Sequence, residues 1–271
     1  MMPEANGKKA KMVAVCSAKG GVGRTLISVN LAIALNKKNL NISLLDGDFQ
    51  FGDVSLAMDL QPTFTIKEII EELGTVESNS INGYLTVHQS GVKVLPSPEK
   101  PEYAELVTSD VLLKVVELLR KQSDYLVVDT GIGIQDQTVD VLEQSDTILI
   151  VTNLEMTALK STQLMLETLD KLGLRDKVTL VVNRYDMESL IKAEDVPEMI
   201  GHKQVIYLPN NFKIASQSLN LGIPLVVGQS KSNLSKAIFK TAETIISNQQ
   251  HTIEGSKKKK GSVLGKMFNK K

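Results

Sequence analysis

The sequence predicts an α/β protein with a mostly parallel central β-sheet and helices on both faces. Short runs that are apolar almost throughout, such as residues 147–152, 178–183 and 205–208, indicate buried strands. Their alternation with amphipathic helical segments is typical of a parallel sheet that is covered on both sides. The length of 271 residues and the apolar fraction of 42% suit one large domain of this class or two small ones. Ligands of such sheets bind at the carboxyl ends of the strands.

The first unit, residues 12–35, combines a strand, a glycine-rich loop and a helix. Residues 12–16 are apolar, Gly20, Gly21 and Gly23 form the loop, and apolar residues then recur at helical spacing. Glycines let backbone N–H groups crowd around a polyanion, and a helix N-terminus presents unpaired amides and a positive dipole end. The unit therefore predicts a phosphate-binding site, with a glycine turn that holds no ligand as the alternative.

The loop departs twice from the general phosphate-loop pattern of Gly, four residues, Gly-Lys and Ser or Thr. Ala18 stands at the first glycine and Arg24 at the lysine, while an additional lysine, Lys19, opens the loop and Thr25 closes it. Arginine is longer, planar and bidentate, so it is not interchangeable with the compact lysine ammonium at a tight site. Two interpretations stay open: phosphate binding with weakened hydrolysis, or a protein that uses nucleotide only as a structural ligand or not at all.

Carboxylates follow two further predicted strands. Asp46 and Asp48 come after the buried run 41–45, and Asp129 ends the apolar run 125–128. Carboxylates beside a phosphate loop are suited to ordering Mg²⁺ and an attacking water. The sequence therefore predicts a metal and water site there. For Asp46 and Asp48 the alternative is a turn with two solvated acids.

In this order, the segments KGGVGRT (residues 19–25), DGD (46–48) and YLVVD (125–129) resemble the MinD/ParA family of dimeric P-loop ATPases, whose phosphate loop is deviant. Two longer segments, DFQFGDVSLAMDL (48–60) and VKVLPSPEKPEYAELVT (92–108), are similar to the CpaE/TadZ branch of that family, which is associated with the assembly of Tad-type pili. CpaE-type proteins usually carry a receiver-like domain ahead of the ATPase, and none is expected here. Many of them also lack the phosphate-loop lysine.

The resemblance implies an ATP and Mg²⁺ site shared by a homodimer. It implies that Lys19 reaches across the dimer to the partner's nucleotide, that Asp48 positions or activates the water, and that Gly133 offers its N–H to the γ-phosphate. The implied catalytic residues are Lys19, Arg24 and Asp48, and the implied Mg²⁺ ligands are Thr25, Asp46 and Asp129. The implied ATP contacts are Lys19, Gly20, Gly21, Val22, Gly23, Arg24, Thr25, Leu26, Gly133, Asn183, Arg184 and Pro209.

Asn183 ends another predicted strand. An amide donates and accepts at once, as an adenine edge requires, and the resemblance carries a base contact to Asn183 and its neighbour Arg184. The alternative is an asparagine that caps a turn. Pro209 begins a loop that resembles the family's second base-contacting segment, although Asn210 and Asn211 replace its more usual acidic pattern.

The chain is predicted to consist of a loose N-terminal arm (residues 1–11), one ATPase domain (12–249) and a linker with a basic amphipathic tail (250–271). Inside the domain, the spacing of apolar residues predicts helices at residues 66–73, 110–121, 158–172 and 232–246.

The tail carries an uneven share of the charge. Residues 257–271 hold seven lysines and no acid, which leaves 24 basic against 31 acidic residues in the rest of a chain whose net charge is zero. Val263, Leu264, Met267 and Phe268 fall on one side of a short helix among these lysines. The tail therefore predicts an anchor on an anionic membrane surface, strengthened when a dimer carries two. A disordered, solubilising lysine tail is the alternative.

The amino-acid composition of the chain also limits which other partners are expected. The acidic body makes nucleic acid an unlikely partner, so a ParA-type DNA-partition ATPase is the least favoured hypothesis. The lone cysteine, Cys16, excludes a disulfide framework and a four-thiolate metal site within one chain. Because no signal peptide or membrane-spanning run is evident, the chain is expected in the cytoplasm, peripheral on the inner face of the cytoplasmic membrane. An activating or cargo protein of a pilus, flagellum, secretion system or septum is expected as its partner there.

Overall fold

A computed structural model describes residues 9–72 and 81–260, with side chains described as far as residue 247. The strands are β1 (Lys11–Ser17), β2 (Ile42–Gly47), β3 (Thr86–Val87), β4 (Lys93–Leu95), β5 (Tyr125–Ile132), β6 (Thr147–Thr152), β7 (Val178–Asn183) and β8 (Val205–Leu208). Within the described ranges they form one eight-stranded sheet in the order β3-β4-β2-β5-β1-β6-β7-β8. Neighbouring strands run parallel, except that β3 pairs antiparallel with β4 at one edge.

The helices follow the strands along the chain. They are α1 (Arg24–Asn36), α2 (Val54–Ala57), α3 (Ile66–Glu71), α4 (Ser109–Lys121), α5 (Asp136–Gln144), α6 (Met156–Lys171), α7 (Val196–Ile200), α8 (Phe212–Leu221), α9 (Leu225–Gly228) and α10 (Asn233–Lys260). Short 3₁₀ turns lie at Ile81–Tyr84, Pro101–Leu106, Arg175–Lys177 and Ala193–Asp195. None of the helices in the described ranges has the length and apolar content needed to cross a bilayer.

Strand β1 lies inside the sheet and is buried on both faces. Val13 and Val15 pack on the side of α1 and α10, whereas Met12, Ala14 and Cys16 pack on the side of α4, α5 and α6. A strand buried on both faces has no solvent side, which is why its apolar run is unbroken. The prediction of a mostly parallel sheet with helices on both faces is confirmed.

The sheet order decides which strand ends meet. Strand β1 lies between β5 and β6, and β5 lies between β1 and β2. In the β2–β5 ladder Asp46 stands directly beside Asp129. The loop that follows β1 therefore lies next to the carboxyl ends of the two strands that carry the predicted metal ligands.

Most predicted elements occur close to their expected bounds, and β6, β7 and β8 match them. Strand β5 continues past Asp129, because Thr130 still pairs with Gly47 of β2. Helix α10 continues to Lys260, past the expected start of a linker at residue 250. Residues 250–260 contain no proline, so no residue there forces the helix to stop.

Some predictions lie outside the described residues. These are the first eight residues of the arm, the end of the predicted helix 66–73 at Leu73, and residues 261–271 with the apolar side of the tail. The division of the chain into arm, domain and tail remains a prediction.

Candidate nucleotide-binding site

A cavity of about 690 Å³ opens at the carboxyl edge of β1, β2 and β5. Its lining includes Lys19, Arg24 and Thr25 from the loop after β1 and the start of α1. The cavity is also lined by Asp48, from the loop after β2, and by Arg184, from the segment after β7. The structure thus brings three separate predicted segments to one site.

The glycine loop has a backbone that other residues adopt only under strain. Gly21 and Gly23 have φ values of +74° and +97°, in the left-handed region that favours glycine. Gly23 immediately precedes α1, and no side chain in the described chain caps this helix start. The first amides of α1 are therefore available to an anionic ligand.

Val22 is one of the predicted ATP contacts. Its side chain is buried in the core between the sheet and α1, so a contact from Val22 to a ligand is restricted to its backbone. Leu26 is also largely buried, yet it lines both the main cavity and a smaller one beside it.

Arg24 bridges two carboxylates. Its Nε donates to Oδ1 of Asp129 at 3.0 Å, and its Nη2 donates to Oδ2 of Asp48 at 2.9 Å. Only 9% of the residue is exposed, so solvent screens these ion pairs weakly. The positive charge at the phosphate-loop position is therefore held between Asp48, which is predicted to position the water, and Asp129, a predicted Mg²⁺ ligand.

Asp46 is engaged by its own loop. Its oxygens accept hydrogen bonds from the backbone N–H groups of Asp48 (3.3 Å) and Val54 (3.2 Å) and from the hydroxyl of Ser97 (3.3 Å). Burial, and then the nearby charge of Asp129, raise the pKa of Asp46 from 3.8 to about 8. Asp46 thus stabilises the loop after β2 through the three hydrogen bonds that its oxygens accept.

Asp129 is fully buried at the carboxyl end of β5. Burial raises its pKa, and the charge of Arg24 is the largest effect that lowers it again. The hydroxyl of Ser28 donates to Oδ1 at 2.7 Å, on the same oxygen that Arg24 contacts. Its other oxygen, Oδ2, is buried without a hydrogen-bond partner among the described residues.

These contacts decide how well the predicted Mg²⁺ ligands fit a metal. Mg²⁺ requires a near-octahedral shell of oxygen ligands, usually including several waters. Asp46 is taken up by its loop, one oxygen of Asp129 by Arg24 and Ser28, and a guanidinium lies beside the carboxylate. Oδ2 of Asp129 remains for a metal, while the half-buried Thr25 hydroxyl acts on the same carboxyl group and lowers its pKa. As arranged, this set does not fit Mg²⁺, and the Mg²⁺ site at Thr25, Asp46 and Asp129 stays a prediction.

Lys19 lines the cavity, whereas Gly133 is bonded to the end of the strand that precedes the loop. Lys19 is exposed and makes no hydrogen bond or ion pair with any other residue that the structure describes. Its ammonium is therefore free to meet a phosphate or a partner chain, although its predicted action across a dimer stays a prediction. The N–H of Gly133 donates to the carbonyl of Ser17 at 2.9 Å, so a γ-phosphate contact from it would replace this bond.

A smaller cavity of about 160 Å³ lies beside the first, between the ends of β7 and β8 and helix α8. Asn183, Arg184, Pro209 and Phe212 line it. Asn183 donates its amide to the carbonyl of Val22 at 2.8 Å and accepts from the N–H of Arg184 at 3.0 Å. Both groups that would contact adenine are thus bound to protein, and the base contact of Asn183 stays a prediction.

Three residues of this region were not singled out from the sequence. Ser28 follows Arg24 by one helical turn, and this spacing could have indicated a shared target. Ser97 lies in the proline-rich loop after β4, and nothing local relates it to Asp46. Phe212 begins α8, and its ring centroid lies 5.8 Å from the guanidinium carbon of Arg184.

A glycine loop between the first strand and helix of a parallel sheet, with carboxylates at neighbouring strand ends, defines a P-loop nucleotide-binding protein. A family model described as "AAA domain" matches residues 10–182. The chain belongs to that family, and it is similar to P-loop ATPases of the MinD/ParA type.

One such relative is an uncharacterized ATP-binding protein of Methanocaldococcus jannaschii. It is 26% identical over 257 residues, which cover 94% of each chain. Two solved structures share the fold. A ParA family ATPase from Chlorobium tepidum has a TM-score of 0.81 at 22% identity, over 87% of this chain and 98% of that one. The septum site-determining protein MinD of Pyrococcus horikoshii, complexed with Mg-ADP, has a TM-score of 0.76 at 23% identity, over 87% and 96%.

Proposed function

We propose that the chain binds ATP in the main cavity, and that ATP-bound copies form a homodimer on the inner face of the cytoplasmic membrane. The observation that carries this proposal is the uncapped start of α1 behind the glycine loop, with the free Lys19 ammonium at the same cavity. Backbone N–H groups, a helix dipole and a cation converge there on a site suited to a polyphosphate.

The rim of the cavity supports the homodimer. Phe51 is 73% exposed and Ile132 is 49% exposed, and both line the cavity beside Lys19. Exposed apolar side chains around a charged site are typical of a surface that another protein covers. A second copy would cover them and receive Lys19 at its own nucleotide.

The cellular role follows from the resemblance and the tail. As a MinD-like protein of the CpaE/TadZ branch, the dimer would position a pilus, flagellum, secretion system or septum through a cargo or activating protein. Lysines near an anionic surface contribute about 1 kcal/mol each, so two tails on one dimer would hold it more firmly than one.

A second candidate function keeps the nucleotide binding and the membrane association but lacks ATP hydrolysis. Asp48, the predicted water-activating residue, is paired with Arg24 at 2.9 Å. Oδ2 of Asp48 accepts from Arg24 and Oδ1 accepts from the N–H of Phe51 at 3.3 Å, so both oxygens that would orient a water are engaged. In this candidate function hydrolysis is slow or lost, and the chain acts as a nucleotide-binding membrane scaffold. A phosphate-release assay on Arg24→Lys separates the two: a rise from near zero supports the scaffold, and an unchanged rate in an already active enzyme contradicts it.

Binding and dimerisation are tested together on the full-length chain. Calorimetric titration with ATP gives the affinity, and light scattering after gel filtration gives the mass with ATP and with ADP. Lys19→Ala is expected to lower the dimer fraction with ATP. Lys38→Ala, which removes a surface lysine paired with Glu243, controls for the lost charge. If the protein holds no adenine nucleotide even at about millimolar concentration, the proposal is wrong.

Membrane association is tested by sedimentation with vesicles. Anionic and neutral vesicles are compared with ADP and with ATP, for the full chain and for a chain without residues 257–271. We expect pelleting with anionic vesicles, more with ATP, and its loss without the tail. Equal pelleting by the two chains would assign membrane binding to another part of the molecule.

A further inference from the structure

We propose that Arg24 takes the place of a divalent cation in this site, so that the cavity binds a nucleoside triphosphate without requiring Mg²⁺. The inference rests on the proposed ATP binding and specifies its ligand as the metal-free polyphosphate. It departs from the predicted Mg²⁺ site at Thr25, Asp46 and Asp129.

Arg24 places a positive charge between two strand ends. The guanidinium of Arg24 spans carboxylates from two different segments, Asp48 after β2 and Asp129 in β5, at 2.9 Å and 3.0 Å. Drawing two strand-end carboxylates toward the phosphate loop is what a bound cation does in such a site. Here a side chain of the protein does it.

Arg24 has more N–H donors than its two carboxylate partners use. A guanidinium has five N–H groups, and two of those on Arg24 are used by the carboxylates. The other three have no partner in the part of the chain that the structure describes, and Arg24 lines the cavity. Arg24 can therefore hold both carboxylates and still donate to a phosphate oxygen. A lysine ammonium has fewer donors around a single point and cannot span the same groups.

Few carboxylate oxygens of Asp46 and Asp129 remain for a metal ion. Asp46 accepts hydrogen bonds from its own loop and from Ser97, and Oδ1 of Asp129 accepts from both Arg24 and Ser28. A metal ion bound at Oδ2 of Asp129 would face the like charge of Arg24 across one carboxylate. The arrangement favours the guanidinium over a second cation.

The test compares the affinity of the full-length protein for ATP in EDTA and in excess MgCl₂, by calorimetric titration. For the unmodified chain we expect the two dissociation constants to agree within about twofold. For Arg24→Lys we expect binding about tenfold weaker in EDTA than in MgCl₂, because the ammonium leaves one carboxylate unpaired beside the phosphate. Arg175→Lys, at an arginine paired with Asp170 on the surface, is the matched control and should behave as the unmodified chain.

Each outcome decides. If the unmodified chain binds ATP more than about twofold more weakly in EDTA, the inference is wrong while the proposed ATP binding stands. If Arg24→Lys shows the same small ratio as the unmodified chain, Arg24 is not the reason and the inference is also wrong. Absence of binding in both buffers contradicts the proposed function itself. The comparison on the unmodified chain decides even where Arg24→Lys does not fold.

Discussion

The side-chain amide of Asn183 donates to the backbone carbonyl of Val22 at 2.8 Å, which joins the end of β7 to the glycine loop after β1. Strand β6 separates β1 and β7 in the sheet, so the contact reaches across the end of one strand. Its carboxamide oxygen accepts from the N–H of Arg184 at 3.0 Å, which fixes the orientation of the amide. Asn183 therefore supports the shape of the loop.

Asn183→Ala is expected to weaken ATP binding by about fivefold to tenfold, since one buried hydrogen bond contributes about 1 kcal/mol. The loss acts through the loop, so GTP affinity is expected to fall by the same factor. Titrations with both nucleotides measure this. A loss confined to ATP would instead support the predicted adenine contact.

Gly23→Ala is expected to destabilise the loop through two effects. The left-handed backbone at φ +97° costs any other residue about 1 kcal/mol, and the new Cβ would lie 2.5 Å from the amide nitrogen of Asn183. Gly173→Ala is the matched control, because Gly173 has φ +71° with open space around it. Thermal unfolding should show a larger decrease for Gly23→Ala, with loss of ATP binding in that variant only. Equal decreases would show that the contact with Asn183 relaxes at no cost.

Asp46→Asn is expected to change how stability depends on pH. The pKa of Asp46 is about 8 in the folded chain against an ordinary 3.8, so the folded state binds the proton more tightly. Stability is therefore lost as pH rises from about 4 to about 8, and a residue that does not titrate escapes this loss. The melting temperature of Asp46→Asn, relative to the unmodified chain, should rise across that range. Asp195→Asn, at an exposed position, controls for the lost charge, and parallel curves for Asp46→Asn would contradict the prediction.

Cys16 is expected to resist thiol reagents in the folded protein. Burial raises the pKa of its thiol to about 12, and the thiolate is the reactive form. Because the chain has one cysteine, a colorimetric thiol assay reports on this position alone. We expect no reaction at pH 8 under native conditions and one thiol per chain in denaturant. Rapid labelling of the native protein would show that β1 opens to solvent.

The sequence predicted the scaffold of the site better than its contacts. Strands β6 and β7 could be located because continuous burial leaves an apolar run that ends in a polar residue. Helix α5 was missed, since only Thr138, Val141 and Leu142 of its nine residues are buried and the periodic signal is weak.

The partners of Arg24 could not be predicted. The departure of Arg24 from the phosphate-loop pattern is visible in the sequence. Its contacts, however, depend on β5 and β2 lying in that order beside β1, and local periodicity does not predict the order of strands in a sheet. The same limit explains Asn183, whose amide is bound to a loop about 160 residues away in the chain.

The bridge from Arg24 to Asp48 and Asp129 also constrains how this protein could evolve. Removing one member of a buried ion pair costs about 3–5 kcal/mol, because a charge is left without compensation. Replacement of Arg24 by a neutral residue would leave two acids repelling each other beneath a polyanion. A neutral residue at position 24 would therefore require a second change at Asp48 or Asp129, whereas Arg24→Lys, which keeps the positive charge, is a one-step route toward an ordinary lysine loop.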